Sequence, residues 1–182
     1  MTDIITHIME TVDKKCVQQE CKRILKKCSF NSAKDLGNIA VLAVWLYVYE
    51  LYDEAIKVCD IIKDVPFTGN YTLWSNVDSV LCIKARILRE NGNSKESKEI
   101  IRLVNEHRHP ELYANGVEWF TKTLDININS NLKDNFKAGA REWRIVKLNC
   151  AIRYREAGDY PVSDEELENI IKELIDILRL ER

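Results

Sequence analysis

The stretch "NIAVLAVWLYVYELYDEAI", residues 38–56, decides the architecture. It opens with eleven consecutive apolar or aromatic residues, Ile39 to Tyr49. As a helix that run spans only about 16 Å, roughly half of a bilayer's hydrocarbon core. Charges stop it on both sides, at Asp35 and Glu50. A membrane span is therefore excluded. A buried strand has a suitable composition, but the segment's length and the helical pattern of "LYDEAIKVCDII" after it predict a helix buried on most sides.

The whole chain agrees with a helical protein. Over 182 residues it has only 6 Gly and 3 Pro, so long helices with short loops are expected rather than a turn-rich sheet. An apolar share of 46% with 31% charged residues fits a soluble globular protein carrying exposed helices. One domain over residues 1–182 is expected. The net charge of −2 argues against general polyanion binding. The N-terminus, "MTDIITHIMETVDKK", carries an acid where a secretory leader carries positive charge. The six cysteines (Cys16, Cys21, Cys28, Cys59, Cys82 and Cys150) are scattered without a paired CxxC, so reduced thiols and a cytoplasmic location are expected. Abundant Ile, Asn and Lys suit an AT-rich bacterial genome.

Working outward, apolar spacing predicts a first helix from about Asp3 to Cys28. Ser32, with Asp35 three residues on, reads as an N-cap before the apolar helix. "LYDEAIKVCDIIKDVP", Leu51 to Pro66, resembles the second helix of a tetratricopeptide repeat, with Tyr52, Ala55, Cys59, Ile62 and Pro66 near the repeat's signature positions. In the preceding helix, Leu42, Ala43 and Leu46 follow the repeat's large–small–large order, although Ile39 stands where the repeat has Trp. The pattern recurs in Ser79 to Val104, through Ala85, Leu88, Gly92, Ser97, Ile101 and Val104, with Lys84 at a position that calls for a large apolar residue. A third trace is the turn Ala157-Gly158-Asp159-Tyr160, followed by Pro161 and a capping box, Ser163 to Glu166. The resemblance implies an all-α fold of about seven helices, as antiparallel pairs in a right-handed superhelix or an irregular bundle. It also implies protein binding. Asp64 to Trp74 reads as a long connector, Pro110 as the start of a helix reaching about Leu124, and "DININSNLKDN" as a loop.

The segment from Leu132 to Gly158 gathers Lys133, Lys137, Arg141, Arg144, Lys147 and Arg155 on one helical face. Two readings follow. The stripe is a groove for an acidic partner, or it is a solvated face or one paired with the acidic last helix, "SDEELENIIKELID". His107 and His109, two apart, do not face one way, so no metal site is expected. Phosphate loops, metalloprotease and nucleophile-elbow motifs and dinucleotide fingerprints are absent, and Glu50, Asp53 and Glu54 have no spacing that demands acid–base chemistry. The expectation is a non-catalytic protein-binding module without cofactors. Its size and class suggest a partner-neutralising role of the toxin-immunity type. An adaptor holding an acidic peptide, or a nucleic-acid-binding regulator using residues 133–155, are the alternatives.

Overall fold

A computed structural model describes residues 2–26, 32–66, 71–107 and 140–180. Among these the protein is all-helical, with eight helices and no strand. They are α1 (Thr2–Thr11), α2 (Lys15–Lys26), α3 (Ala33–Val48), α4 (Tyr52–Ile62), α5 (Tyr71–Glu90), α6 (Ser94–Glu106), α7 (Ala140–Ala157) and α8 (Asp164–Leu180). The helix expected from Pro110 and the loop over "DININSNLKDN" lie outside the described residues.

The chain divides into two compact units, Met1–His107 and Arg108–Arg182, where the sequence reading placed one domain over 1–182. In the first, α1 packs on α2 and α4, α2 on α3, α3 on α4 and α5, and α5 on α4 and α6. In the second, α7 packs on α8, burying Ile145, Leu148 and Ile152 of α7 and Leu167, Ile170 and Leu174 of α8. A helix pair that buries its own apolar faces in this way forms a core of its own.

The single first helix expected over Asp3–Cys28 is two. The chain leaves α1 at Val12, where Lys14 N–H bonds the Val12 carbonyl at 2.9 Å, and re-enters a helix at Lys15. Continuous winding would set Ile5, Ile8 and Val12 on a different side from Val17, Cys21 and Ile24. The break lets all six become buried.

The apolar helix α3 is capped by Ser32, whose Oγ accepts the Asp35 N–H at 3.2 Å. Trp45 and Leu46 in it are completely buried. Its neighbour α5 is buried over a longer run, residues 77–88 without interruption, and so is the most enclosed helix described. Trp74, expected in a connector, lies inside α5, against the His107 ring at 4.7 Å.

Three helix pairs close with one turn geometry. Glu50, Gly92 and Gly158 adopt φ of 60°, 84° and 80°. The next amide bonds back to the carbonyl five residues earlier: Leu51 to Leu46 at 2.9 Å, Asn93 to Leu88 at 2.8 Å, and Asp159 to Tyr154 at 2.8 Å. A second bond runs from Glu50 to Tyr47, Gly92 to Arg89 and Gly158 to Arg155. This is the Schellman closure, which satisfies orphan carbonyls at a helix end by one residue in the left-handed region. In the first two turns the next helix starts at once, at Tyr52 and Ser94. In the third, Pro161–Ser163 lengthens the path, and Ser163 and Glu166 then form a reciprocal capping box at 2.8 and 3.1 Å.

The first two pairs also share a register. Adding 42 to a residue number in α3–α4 carries Ala43 to Ala85, Leu46 to Leu88, Glu50 to Gly92, Ala55 to Ser97 and Ile62 to Val104. Ala43, Ala85, Ala55 and Ser97 in this set are all buried. Ser97 shows what smallness permits: its hydroxyl reaches the α5 backbone and donates to the Ala85 carbonyl at 2.8 Å.

Candidate functional site

The basic stripe is met by acidic residues of α8 wherever its side chains are described. Lys147 is buried and points its Nζ at Glu173 Oε2, 3.9 Å away. Arg155 pairs with Asp164 at 2.5 Å. Both cations therefore serve the α7–α8 contact, the second of the two readings. Lys133 and Lys137 lie outside the described residues, and Arg141 and Arg144 stand on α7 with side chains outside the description.

Buried charge concentrates instead on α5. Lys84, in the position that calls for a large apolar residue, threads its stem through the helix packing and ends between two carboxylates. Its Nζ lies 2.9 Å from Asp60 of α4 and 3.2 Å from Glu96 of α6. Burial opposes its charge, but the two carboxylates outweigh burial and leave its pKa above the ordinary lysine value. Arg86 donates Nε–H to the Tyr47 hydroxyl at 2.6 Å and pairs with Glu90 at 2.8 Å. These contacts tie α3, α4 and α6 to α5, and the residues act as clamps.

The thiols have the chemistry of core residues. Cys16, Cys21, Cys59 and Cys82 are free and buried, and Cys150 is free and half-buried. Burial pushes the Cys21 thiol up to about 11, with the Glu20 charge adding to the effect. Cys59 and Cys150 are raised by burial as well. Such thiols are poor nucleophiles and poor metal ligands. Cys28 and His109 lie outside the described residues, and His107 directs Nδ1 to the Leu103 carbonyl at 3.1 Å. No group of three His, Cys, Asp or Glu among the described residues is arranged to hold a metal ion. No helix among them is long and apolar enough to cross a membrane.

The sequence reading missed one polar feature. Between α2 and α3 a cleft of about 290 Å³ is lined by Arg23, Lys26, Lys34 and Asn38. Arg23 also pairs with the buried Glu20 at 2.9 Å. The signal was present in "CKRILKK", Cys21 to Lys27, the densest basic run in this part of the chain. What the sequence alone does not show is that Lys34, beyond the α2–α3 connection, joins the same cleft.

These features define an all-helical protein of paired helices with an unassigned basic cleft. The chain belongs to DUF6707, a family of unknown function whose model matches residues 1–114. The match spans the first compact unit and ends seven residues past His107, leaving α7 and α8 outside it. No curated protein and no solved structure matches the chain.

Proposed function

We propose that this protein is a non-catalytic protein-binding module built from tetratricopeptide-like helix pairs, and that it neutralises a partner protein in a bacterial cytoplasm, as toxin-immunity proteins do. The observation that carries this reading is the repeated hairpin: one Schellman turn closes α3–α4 and α5–α6, and small buried residues recur 42 positions apart. Stacked hairpins of this kind present extended side-chain surfaces to partners. The spacing exceeds the tetratricopeptide period of about 34 residues, and part of the excess lies within α5, which is longer than α3. Free, buried thiols fit a reducing compartment.

The nucleic-acid alternative draws less support, because Lys147 and Arg155 are already engaged by acids of α8. The test is co-expression with the product of the gene immediately upstream. The reading expects a one-to-one complex by light scattering and survival of cells that otherwise die from that product. No complex and no protection, or steeply salt-dependent retention on DNA or RNA, would overturn it.

A further inference from the structure

We propose that the cleft between α2 and α3 binds a phosphate-monoester group. Arg23 and Lys26 from the last turns of α2 and Lys34 and Asn38 from the start of α3 line one cavity of about 290 Å³. Among the described residues neither Lys26 nor Lys34 forms an ion pair, and Arg23 shares its guanidinium with Glu20. The cleft therefore holds excess positive charge on a chain whose net charge is −2.

Lys34 sharpens the point. It stands in the first turn of α3, where the helix dipole already disfavours a cation. Folding brings it there beside Lys26 and Arg23; Glu20 answers Arg23 and Asp35 shares the turn, but neither carboxylate forms an ion pair with Lys34 or Lys26. A bound anion removes that conflict.

Charge and size select the anion. A carboxylate brings one negative charge, whereas a phosphate monoester brings about 1.5 to 2 charges and three strong acceptor oxygens. Two lysines, a shared arginine and an asparagine amide match the second better. The volume lies at the lower edge of small-molecule sites. It accommodates one phosphate group with its immediate substituent, not a nucleic-acid strand. The proposal stands independently of the partner-neutralising reading.

The test is an amide NMR titration of the full chain at low ionic strength, in three arms. They are inorganic phosphate, an otherwise neutral peptide with one phosphoserine, and the same peptide with Glu in its place. Saturable shifts are expected at the end of α2 and the first turn of α3, with the Glu peptide at least about tenfold weaker. Lys26→Ala and Lys34→Gln should each weaken phosphate-group binding about tenfold, the worth of one charge-assisted hydrogen bond, with unchanged melting temperature because both side chains are exposed. Arg23 is left intact, since it also serves buried Glu20. Tighter binding of the phosphopeptide than of free phosphate identifies a phosphorylated protein segment as the source, and equal binding identifies a small phosphate ester. Absence of saturation, shifts elsewhere, equal binding of the Glu peptide, or indifference to both substitutions overturns the proposal.

Discussion

The three Schellman turns differ at one position, and that difference can be measured. Glu50 occupies with φ 60° the left-handed site that glycine fills at 92 and 158. An L-residue there costs roughly 1–2 kcal/mol, because its Cβ crowds the following carbonyl. Glycine removes that cost but gives the unfolded chain more freedom, which takes back about 0.4–1 kcal/mol. The Glu50 side chain is exposed and the turn bonds are made by backbone, so little else is lost. Glu50→Gly should therefore stabilise the protein by about 0.5–1 kcal/mol.

The reverse experiment is Gly92→Ala. A Cβ built at Gly92 meets nothing within 4 Å, so the substitution adds backbone strain without a clash. It should cost about 0.5–1 kcal/mol, a mirror image of the first change. Urea unfolding followed by circular dichroism at 222 nm measures both, and a melt should show shifts of about 2–4 °C per kcal/mol for a chain of this size. Because both sites lie in the first compact unit, one transition reports on each. A destabilising Glu50→Gly, or a neutral Gly92→Ala, would refute the claim that the two hairpins share a backbone geometry that favours glycine.

Lys84→Met should keep the buried stem and lose both ion pairs; because Asp60 and Glu96 are each more than a third exposed and regain water, urea unfolding should show a loss of about 1–2 kcal/mol rather than the larger cost of a fully buried pair. Stability should fall above about pH 9, since Cys21, Cys59, Cys150, Tyr47 and Tyr154 and the ion-paired Lys84 all have pKa values raised by folding. Their contribution is complete below the unfolded values and is lost as pH rises through the folded ones; melts of Cys21→Ala should show a shallower decline between about pH 9 and 11. Lys147→Glu would set a buried carboxylate beside Glu173 and should cost about 2–3 kcal/mol in urea unfolding, part of which Glu173→Lys restores; an unchanged midpoint for the single variant would return Lys147 to the surface.

What the sequence reveals here follows from how local each cause is. The cap at Ser32, the capping box from Ser163 to Glu166 and the turns at Gly92 and Gly158 depend on residues three to five apart, and all were legible. The end of α3 was legible too, but its left-handed residue was not, because Glu50 carries no glycine signature. The break after α1 was hidden for a similar reason: neither Gly nor Pro marks Val12–Lys14, and only a change in the direction of the apolar stripe betrays it. Charges are harder still. Lys84 looks like a fault in an apolar pattern until Asp60, 24 residues before it, and Glu96, 12 after it, arrive from two other helices. The stripe on α7 read as a groove or as an internal contact with equal logic, since the acids that answer Lys147 and Arg155 stand on α8. The same limit applies in reverse to the α2–α3 cleft. There folding gathers cations and forms no described ion pair with Lys26 or Lys34. Ion pairs account for Lys84 and Arg86 on α5 and for Lys147 and Arg155 on α7, whereas Lys26 and Lys34 have none among the described residues, so their cleft is where a ligand is to be sought.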